Sequence, residues 1–376
     1  MWAMAAKEFR ELSRDRRTVA MLIALPLLLL IVFGYAASFD VSKIKTMVVG
    51  PQASQVATAA EGIANSPFDI VDIRPGDGEA QAEDALRRGE ATVVIVADLH
   101  SPAILIDGAD LFGAKAAVAA FANISSRAGA GSVSVIPIAL PQPRILFNPE
   151  LKTSTIMVPA LAGMILVFIG TIATSLGVVR ERQAGTLEQL AVMPFRPADI
   201  FVGKVLPYLV LAIVDMTLVI GAGMLIFGVP FNGNPFVFAL GAGIFLFVVL
   251  GLGVFISTVS QTAGQAIQTA FMFLLPQILL SGMIFPLDAM AAGVRWIGYL
   301  LPLTYFTMIS QGVMLRGATL GSLWLPFLVL TVMAIVVFSG ATLRFRRDLA
   351  PGRRRHQPAS AGPAARPAAS TPRSGS

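Results

Sequence analysis

Few residues of this 376-residue chain could take part in acid–base, metal or thiol chemistry. Cys is absent, which excludes disulfides, zinc ribbons and thiolate nucleophiles. His100 has no Cys or second His nearby to complete a metal site. The sequence also lacks a Gly-x-x-x-x-Gly-Lys-Ser/Thr loop for nucleotide phosphates. We therefore expect a protein that is not an enzyme and that holds no metal or cofactor of its own.

Asp215 is the one charged residue between Lys204 and Asp288. An acid at the centre of a membrane helix costs about 2.5–3.5 kcal/mol on insertion scales. Such residues usually face the interior of a helix bundle and serve a function. Asp215 is therefore a functional candidate, and the alternative is a protonated or hydrogen-bonded acid at a helix interface, with Thr217 nearby.

A charged segment, 180–204, connects two long apolar stretches and is the second candidate. The turn residues Gly185 and Pro194 bound a short helix-like element within it. This element has an apolar edge for the membrane face and a polar edge that is free to meet a partner. The apolar edge is formed by Leu187 and Leu190, and the polar edge by Glu188 and Gln189.

The composition shows which elements must position these candidates. The chain is 55% apolar and only 13% charged, whereas soluble domains are roughly 45–50% apolar and about 25% charged. A single soluble domain and a disordered chain are both excluded. A membrane helix needs about 20 apolar residues. Dividing the apolar stretches at their Gly, Pro and Asn clusters predicts six spans, at 18–38, 153–179, 205–228, 236–256, 266–285 and 322–343.

Two segments allow other interpretations. A cleaved signal peptide is the alternative for 18–38, but its apolar stretch exceeds the usual ~7–15 residues, which favours an uncleaved anchor. The segment 286–321 contains Pro302 and the aromatic residues Trp296, Tyr299 and Tyr305. We therefore predict a short re-entrant or interfacial element there and not a seventh span.

Lys and Arg concentrate on one side of the six predicted spans. Seventeen of the 28 basic residues lie in 1–17, 180–204 and 344–376, whereas the opposite loops at 229–235 and 286–321 hold Arg295 and Arg316. Because basic loops stay cytoplasmic, both chain ends are predicted to be cytoplasmic. The net charge of +6 then marks topology, with anionic lipid as a secondary partner and no nucleic acid.

The segments outside the spans differ in character. Residues 39–152 alternate strand-like and helix-like stretches, which predicts an extracytoplasmic α/β domain with a structural or partner-binding role. Residues 1–17 suit an amphipathic helix on the inner leaflet, and 344–376 a disordered cytoplasmic tail. The predicted strands are 44–49, 68–73, 91–97 and 103–106, and the predicted helices are 54–65, 78–88 and 113–127.

Small residues recur within two of the predicted spans. We interpret these glycines as positions where neighbouring helices pack closely. They are Gly221, Gly223, Gly241, Gly243, Gly251 and Gly253.

The order of motifs along residues 5–345 resembles the permease subunit of type-2 ATP-binding-cassette (ABC) transporters, of the bacterial exporter type with a large outer domain. The most specific match is the run 180–190, Arg-Glu-Arg-Gln-Ala-Gly-Thr-Leu-Glu-Gln-Leu, followed by Gly203-Lys204. The other matches are Lys7-Glu8, Arg14-Asp15-Arg16-Arg17, Leu86-Arg87-Arg88-Gly89, Ile106-Asp107-Gly108, Phe147-Asn148-Pro149-Glu150, the run 280–286, and Leu301-Pro302-Leu303-Thr304-Tyr305.

The resemblance implies that 180–190 contains the coupling helix, which docks on a separate ATPase subunit holding ATP and Mg²⁺. Where the family usually has an acid, this chain has Gln183, so the salt bridge implied there is not expected. The alternative for Glu181 and Arg182 is a mutual pair in solvent, worth ~0–1 kcal/mol. The implied coupling residues are Arg180, Glu181, Arg182, Gly185, Thr186, Leu187, Glu188 and Gln189.

The resemblance further implies a permease dimer in the bacterial inner membrane that exports a lipophilic or drug-like substrate by alternating access. Asp215 becomes a candidate pathway or gate residue. A periplasmic adaptor is a further implied partner of the outer domain. The alternatives are a membrane-anchored sensor whose outer domain binds a ligand, and a membrane enzyme. The spans contain one acid and neither His nor Cys, which disfavours an enzyme.

Overall fold

The computed structural model describes residues 43–61, 66–129, 141–184 and 197–349. The predicted amphipathic helix at 1–17 and the predicted first span at 18–38 lie outside these residues, as does the tail beyond Leu349. Within the described residues, a mixed α/β domain precedes a bundle of long apolar helices.

A five-stranded sheet forms the centre of the α/β domain. The spatial order of its strands is β2-β1-β3-β4-β5. Strands β3 and β4 are antiparallel, and the other neighbouring pairs are parallel. One row of the register runs across four strands through Thr46, Val93, Ile106 and Ile145. The strands are β1 (Ile44–Val49), β2 (Phe68–Arg74), β3 (Val93–Val96), β4 (Ala103–Asp107) and β5 (Pro143–Leu146).

Helices cover both faces of this sheet. They are α1 (Ala53–Glu61), α2 (Glu79–Arg88) and α3 (Leu111–Gly129). Met47 of β1 lies in one buried cluster with Leu86 of α2, whereas Ile44 lies in another with Phe121 of α3. Because alternate side chains of a strand point to opposite faces, a strand covered on both faces needs a continuous apolar sequence. This explains the run Met47-Val48-Val49.

The described strands differ from the predicted ones at one edge. Strand β5 is absent from the predicted set, because its four residues include Pro143 and Arg144 and show no apolar alternation. Its position explains why Pro143 is tolerated: β5 is the last strand of the sheet, where one side of the backbone has no partner strand.

The helix bundle contains five helices that are long and apolar enough to span a membrane among the described residues. The predicted sixth span, 18–38, lies outside them. Two shorter helices, α8 and α9, interrupt the series. The bundle comprises α4 (Thr153–Gln183), α5 (Pro197–Phe227), α6 (Pro235–Val259), α7 (Ala263–Leu280), α8 (Ala292–Gly298), α9 (Pro302–Met314) and α10 (Trp324–Leu349).

Capping residues explain where two of the long helices begin. The Asn234 side chain accepts a hydrogen bond of 2.8 Å from the Phe236 backbone N–H, and Pro235 occupies the first turn of α6. The Thr262 hydroxyl accepts one from Gln265 at the start of α7. Such caps satisfy backbone donors that have no partner within the helix.

Several helix ends depart from the predicted boundaries. Helix α4 continues to Gln183 and α5 begins at Pro197, so both enter the predicted loop 180–204. Helix α7 ends at Leu280 and not at 285, because the chain turns at Gly282, which has φ +85°. Helix α10 continues to Leu349, so 344–349 do not belong to a disordered tail. Arg is a good helix former and does not stop a helix.

Helix α9 is buried within the bundle, and the re-entrant or interfacial element expected at 286–321 stays a prediction. Its contacts are with α4, α6, α7 and α10. Phe306 stacks on Phe245 of α6, with ring centroids 4.4 Å apart. Of the aromatic residues behind the interfacial prediction, Trp296 and Tyr299 are exposed, whereas Tyr305 is buried and donates its hydroxyl to the Tyr299 carbonyl. The presence of aromatic residues in the sequence does not distinguish the exposed from the buried ones.

Four of the six glycines mark close helix contacts. A Cβ at any of them would lie under 3.0 Å from a neighbouring helix. These are Gly223 against Val158, Gly241 against Ile309, Gly251 against Val337 and Gly253 against Thr174. Gly221 and Gly243 have no such neighbour within 4 Å among the described residues, so the packing interpretation does not extend to them.

Candidate functional site

The predicted coupling residues begin at the end of α4. Val178 and Val179 are buried, and Arg180 is exposed on the next position of the same helix. The Ala184 N–H donates to the Arg180 carbonyl at 2.9 Å, which extends the helical hydrogen bonding past Gln183. Glu181 and Arg182 continue the helix. Gly185, Thr186, Leu187, Glu188 and Gln189 lie outside the described residues, so their coupling role stays a prediction.

Asp215 lies in the apolar part of α5. One of its carboxylate oxygens is buried and has no hydrogen-bond partner among the described residues. The Thr217 hydroxyl is not that partner, because it donates to the Ile213 carbonyl at 2.8 Å. The interpretation of Asp215 as a protonated or hydrogen-bonded acid at a helix interface and its interpretation as a pathway or gate residue both stay predictions.

A buried ion pair joins the α/β domain to the helix bundle. Arg316, which follows α9, places Nε 2.9 Å and Nη2 2.7 Å from Oδ2 of Asp107 at the end of β4. The other oxygen of Asp107 accepts from the Ala109 N–H at 2.9 Å. Burial lowers the pKa of Arg316, but the charge and hydrogen bond of Asp107 outweigh burial and raise it above its ordinary value. Arg316 therefore keeps its positive charge at this position.

The backbone around Arg316 is fixed by the loop between α5 and α6. Asn232 donates its backbone N–H to the Met314 carbonyl at 2.9 Å and its side-chain amide to the Leu315 carbonyl at 2.8 Å. Gly317 then turns the chain with φ +64°, a conformation that side chains with a Cβ rarely adopt. Arg316 is therefore held in place before it reaches Asp107.

A second carboxylate, Asp110, lies beside this pair. It accepts hydrogen bonds from the Thr92 hydroxyl at 2.9 Å and from the Gly113 N–H at 3.1 Å. Burial raises the pKa of Asp110, and the neighbouring charge of Asp107 raises it further. A Cβ at Gly113 would collide with this carboxylate, so glycine is required for the close approach.

A more exposed pair bridges the same junction. Lys45 of β1 places Nζ 2.9 Å from Oδ2 of Asp288, which lies in the turn Leu287–Ala289 after α7. Both side chains are nearly half exposed. Because solvent screens such pairs, its contribution to stability is about 0–1 kcal/mol.

These residues surround a cavity of about 580 Å³ between the α/β domain and the helices, which we call the junction cavity. Both sides of the cavity contribute charged groups, because Arg316 and Asp288 come from the helix side, and the rest of the helix-side wall is mainly apolar with a few hydroxyl and amide groups. The Gln311 side-chain amide donates to the Ile156 carbonyl at 3.2 Å and joins α9 to the first turns of α4 at this wall. The lining includes Lys45, Thr92, Asp107, Asp110, Phe112, Ile156, Ser281, Met283, Asp288, Thr307, Met308, Gln311, Arg316 and Leu323.

The residues of the junction are absent from the predicted site. Asp107 and Arg316 are 209 positions apart, so no local spacing connects them. One signal was present: Arg316 is one of two basic residues in loops that are otherwise free of them. Among the described residues, no group of three or more His, Asp or Glu side chains is arranged to hold a metal ion.

Five membrane-length apolar helices around the buried α9 define a polytopic helical membrane protein. A family profile described as "ABC-2 family transporter protein" matches residues 16–343, and the chain belongs to this family. The resemblance inferred from the motif order is thereby confirmed.

Three bacterial relatives agree with this family. The chain is 28% identical to "Probable multidrug ABC transporter permease YbhS" of Escherichia coli K12, over 92% of this chain and 97% of that protein. It is 29% identical to "Probable multidrug ABC transporter permease YbhR" of the same strain, over 93% and 99%. It is 32% identical to "Inner membrane transport permease YhhJ", over 57% of each chain. The similarities to YbhS and YbhR, which extend over more than 90% of the chain, cover both the α/β domain and the helix bundle.

Proposed function

We propose that this chain is the membrane-spanning permease subunit of an ABC exporter that moves lipophilic or drug-like compounds out of the cytoplasm or the inner membrane. Membership of the ABC-2 family supports the permease role and a dependence on ATPase partner subunits. The similarity to YbhS and YbhR, each named a probable multidrug transporter permease, supports a multidrug substrate class. The sensor alternative finds no support in these similarities.

The observation that carries the proposal is helix α4. It runs without interruption from Ile156, at the wall of the junction cavity, to the charged turn that begins at Arg180. It also contacts α5, α6, α7 and α9, so it touches most of the bundle. A helix in this position connects the predicted coupling segment to the opposite end of the bundle. We propose that nucleotide-driven movement of docked ATPase subunits reaches the bundle through α4.

The proposed assembly contains two permease chains, identical or related, with both chain ends in the cytoplasm. The α/β domain lies on the extracytoplasmic side, where its proposed partner is a periplasmic adaptor. Helix α5 has an exposed apolar face, in which Leu218, Leu225 and Ile226 are each more than 60% exposed among the described residues. We propose that a second permease chain or lipid covers this face. The ATP and Mg²⁺ are bound by the ATPase subunits.

Charge reversal tests the coupling segment. Replacing Glu181 and Glu188 with Lys should lower co-purification of the cognate ATPase subunit at least tenfold and abolish efflux of a fluorescent drug. The matched control is Glu150→Lys, an exposed acid just before α4, at the opposite end of that helix from Arg180. Equal membrane levels and a monodisperse profile exclude misfolding. Normal co-purification of the double variant would refute the assignment.

Asp215→Asn tests the pathway role in the same efflux assay. Because a buried carboxylate oxygen without a partner is costly, it is kept only where it has a use. We expect efflux to fall at least fivefold while ATPase co-purification stays normal. Unchanged efflux with normal assembly would instead identify Asp215 as a packing residue at a helix interface.

A further inference from the structure

Three basic side chains and one acid lie together where the α/β domain meets the end of α7. Lys43, just before β1, and Lys45 of β1 line the junction cavity together with Asp288. One oxygen of Asp288 is 2.9 Å from Nζ of Lys45, and the other is 3.9 Å from Nη1 of Arg295 on α8. Lys43 is exposed, and no ion pair to it is found among the described residues. We call these four residues the basic corner.

The basic corner carries more positive than negative charge. At 3.9 Å the contact between Arg295 and Asp288 is longer than a hydrogen bond. Nη2 of Arg295 donates to neutral groups, the backbone carbonyls of Asp288 at 2.7 Å and of Met290 at 3.2 Å. Asp69 is exposed and lies opposite Lys45 in the register of β1 and β2. Even when Asp69 is counted, three cations face two carboxylates, which favours an anion as a further partner.

The remaining acids of the junction cavity have partners away from the basic corner. Glu90 is paired with two arginines of the α/β domain. Asp107 is paired with Arg316, and Asp110 accepts two hydrogen bonds beside that pair. Lys43 is thus the cation of the cavity wall for which the structure identifies no carboxylate partner among the described residues.

Aromatic side chains near the basic corner are typical of the level at which membrane and water meet. Asp288 lies in the turn after α7, which is one of the five helices long enough to span a membrane. Trp296 follows Arg295 on α8 and is 56% exposed, and Trp324 begins α10 and is 61% exposed. Tryptophan is enriched at both surfaces of a membrane, where Lys and Arg side chains also extend their charges to the headgroups. The charge excess therefore lies where lipid headgroups would be.

We propose that the basic corner binds the phosphate of an anionic phospholipid, such as phosphatidylglycerol, in the leaflet on the side of the α/β domain. Lys43 and Arg295 contact the phosphate oxygens. The acyl chains pack on the apolar surface beside the corner, where Leu300 and Leu325 are each more than half exposed. The proposal does not depend on the transport function proposed above, because it rests on charge and position and its test needs no ATPase subunit.

Fluorescence quenching in lipid nanodiscs reports which lipid lies beside the basic corner. The full-length chain has three tryptophans, so Trp2→Phe and Trp324→Phe leave Trp296, next to Arg295, as the single reporter. Brominated acyl chains quench tryptophan on contact. Dibrominated phosphatidylglycerol and dibrominated phosphatidylcholine are compared at the same low mole fraction in phosphatidylcholine, so that the two samples differ in the headgroup of the quenching lipid alone.

We expect the anionic lipid to occupy the position beside Trp296 at least fivefold more readily than phosphatidylcholine. Lys43→Glu should bring this preference close to one. Asp288→Asn, which removes the carboxylate of the corner, should raise it about twofold. The matched control is Lys115→Glu, because Lys115 is an exposed lysine of α3 outside the junction cavity, and this variant should keep the original preference.

Three results would overturn the proposal. Equal quenching by the two lipids would mean that lipid contacts Trp296 without selection of its headgroup. An unchanged preference in Lys43→Glu would place the anion elsewhere. An equal loss in Lys115→Glu would mean that the overall charge of the α/β domain, and not the basic corner, selects the lipid.

Discussion

At the residue scale, Asp110 makes the folded protein sensitive to pH. Burial and the charge of Asp107 raise its pKa, while Arg316 opposes this shift, and Thr92 and Gly113 donate hydrogen bonds to its carboxylate. A raised pKa means that the folded state binds this proton more tightly than the unfolded state. The contribution of Asp110 to stability is therefore present at low pH and is lost as pH rises through its folded pKa.

We predict that Asp110→Asn removes this pH dependence. The amide keeps the shape and does not ionise; its oxygen can accept from the Gly113 N–H, while the hydrogen bond with Thr92 must reverse, with the amide N–H donating to the Thr92 hydroxyl. Its apparent melting temperature should exceed that of the unchanged protein by a few degrees at neutral pH, and the difference should shrink toward pH 4. Thermal unfolding of nanodisc samples between pH 4 and 8 measures this. Asp69→Asn, at an exposed position of β2, is the control. A difference that is constant across this range would contradict the prediction.

An isolated charged residue stands out in the sequence, whereas the partner of a paired one does not. Asp215 is conspicuous because a long apolar stretch surrounds it. Asp107 is one acid among many in the α/β domain, and only the fold brings it within 2.7 Å of Arg316. The basic corner is likewise a product of the fold, because Lys43 and Arg295 come from separate parts of the chain. Lys and Arg occur throughout the chain, so no sequence pattern distinguishes these two.

At the scale of elements, the contact between α4 and α6 depends on glycine. A Cβ at Gly253 would lie 2.8 Å from Cβ of Thr174 and 3.0 Å from the Thr171 carbonyl oxygen. Gly243 is on the same helix and has nothing within 4 Å of its Cβ position among the described residues. The two positions form a matched pair, because their intrinsic helix propensities are the same and their surroundings differ.

We predict opposite effects for Gly253→Ala and Gly243→Ala. The former should destabilise the protein by about 1–3 kcal/mol through overpacking. The latter should be neutral or stabilise by up to about 1 kcal/mol, since Ala favours the helix over Gly. Apparent melting temperatures of the two variants at matched expression provide the comparison. If both variants melt alike, the close approach of α4 and α6 is not what makes Gly253 necessary.

The apolar segments of the described helices could be located from the sequence, because the hydropathy of consecutive residues is read directly from it. The ends of the helices were harder to predict from the sequence. Helix α10 passes the predicted end at 343 because Arg is compatible with a helix, and α7 ends early because Gly282 permits a left-handed turn. Helix α9 shows the limit of composition: an apolar 13-residue helix can be buried or interfacial, and only its packing on α4 and α6 decides.

At the scale of the whole molecule, the α/β domain and the bundle meet through few charged contacts. The pair Lys45–Asp288 lies on the exposed side of this junction. If transport requires the two parts to separate, a covalent link at this position blocks it. Neither the contact nor its location follows from sequence, because the two residues are 243 positions apart and belong to separate parts of the fold.

We predict that cross-linking Lys45→Cys to Asp288→Cys with a short bismaleimide lowers drug efflux at least fivefold. ATPase co-purification should be unchanged, because the proposed coupling segment lies at the other end of α4. Each single-cysteine variant treated with the same reagent is the control for labelling alone. Full cross-linking with undiminished efflux would show that the junction stays closed during transport.

The length of α4 has a mechanical consequence. At a rise of 1.5 Å per residue, its 31 residues make a helix about 46 Å long. Pro159 lies close to the end at Ile156, which leaves the longer part of the helix free of proline. Tilting such a helix by about 5° about one fixed end carries the other through about 4 Å. If α4 moves as one rigid helix in the proposed transport cycle, a small tilt set near Arg180 changes the width of the junction cavity.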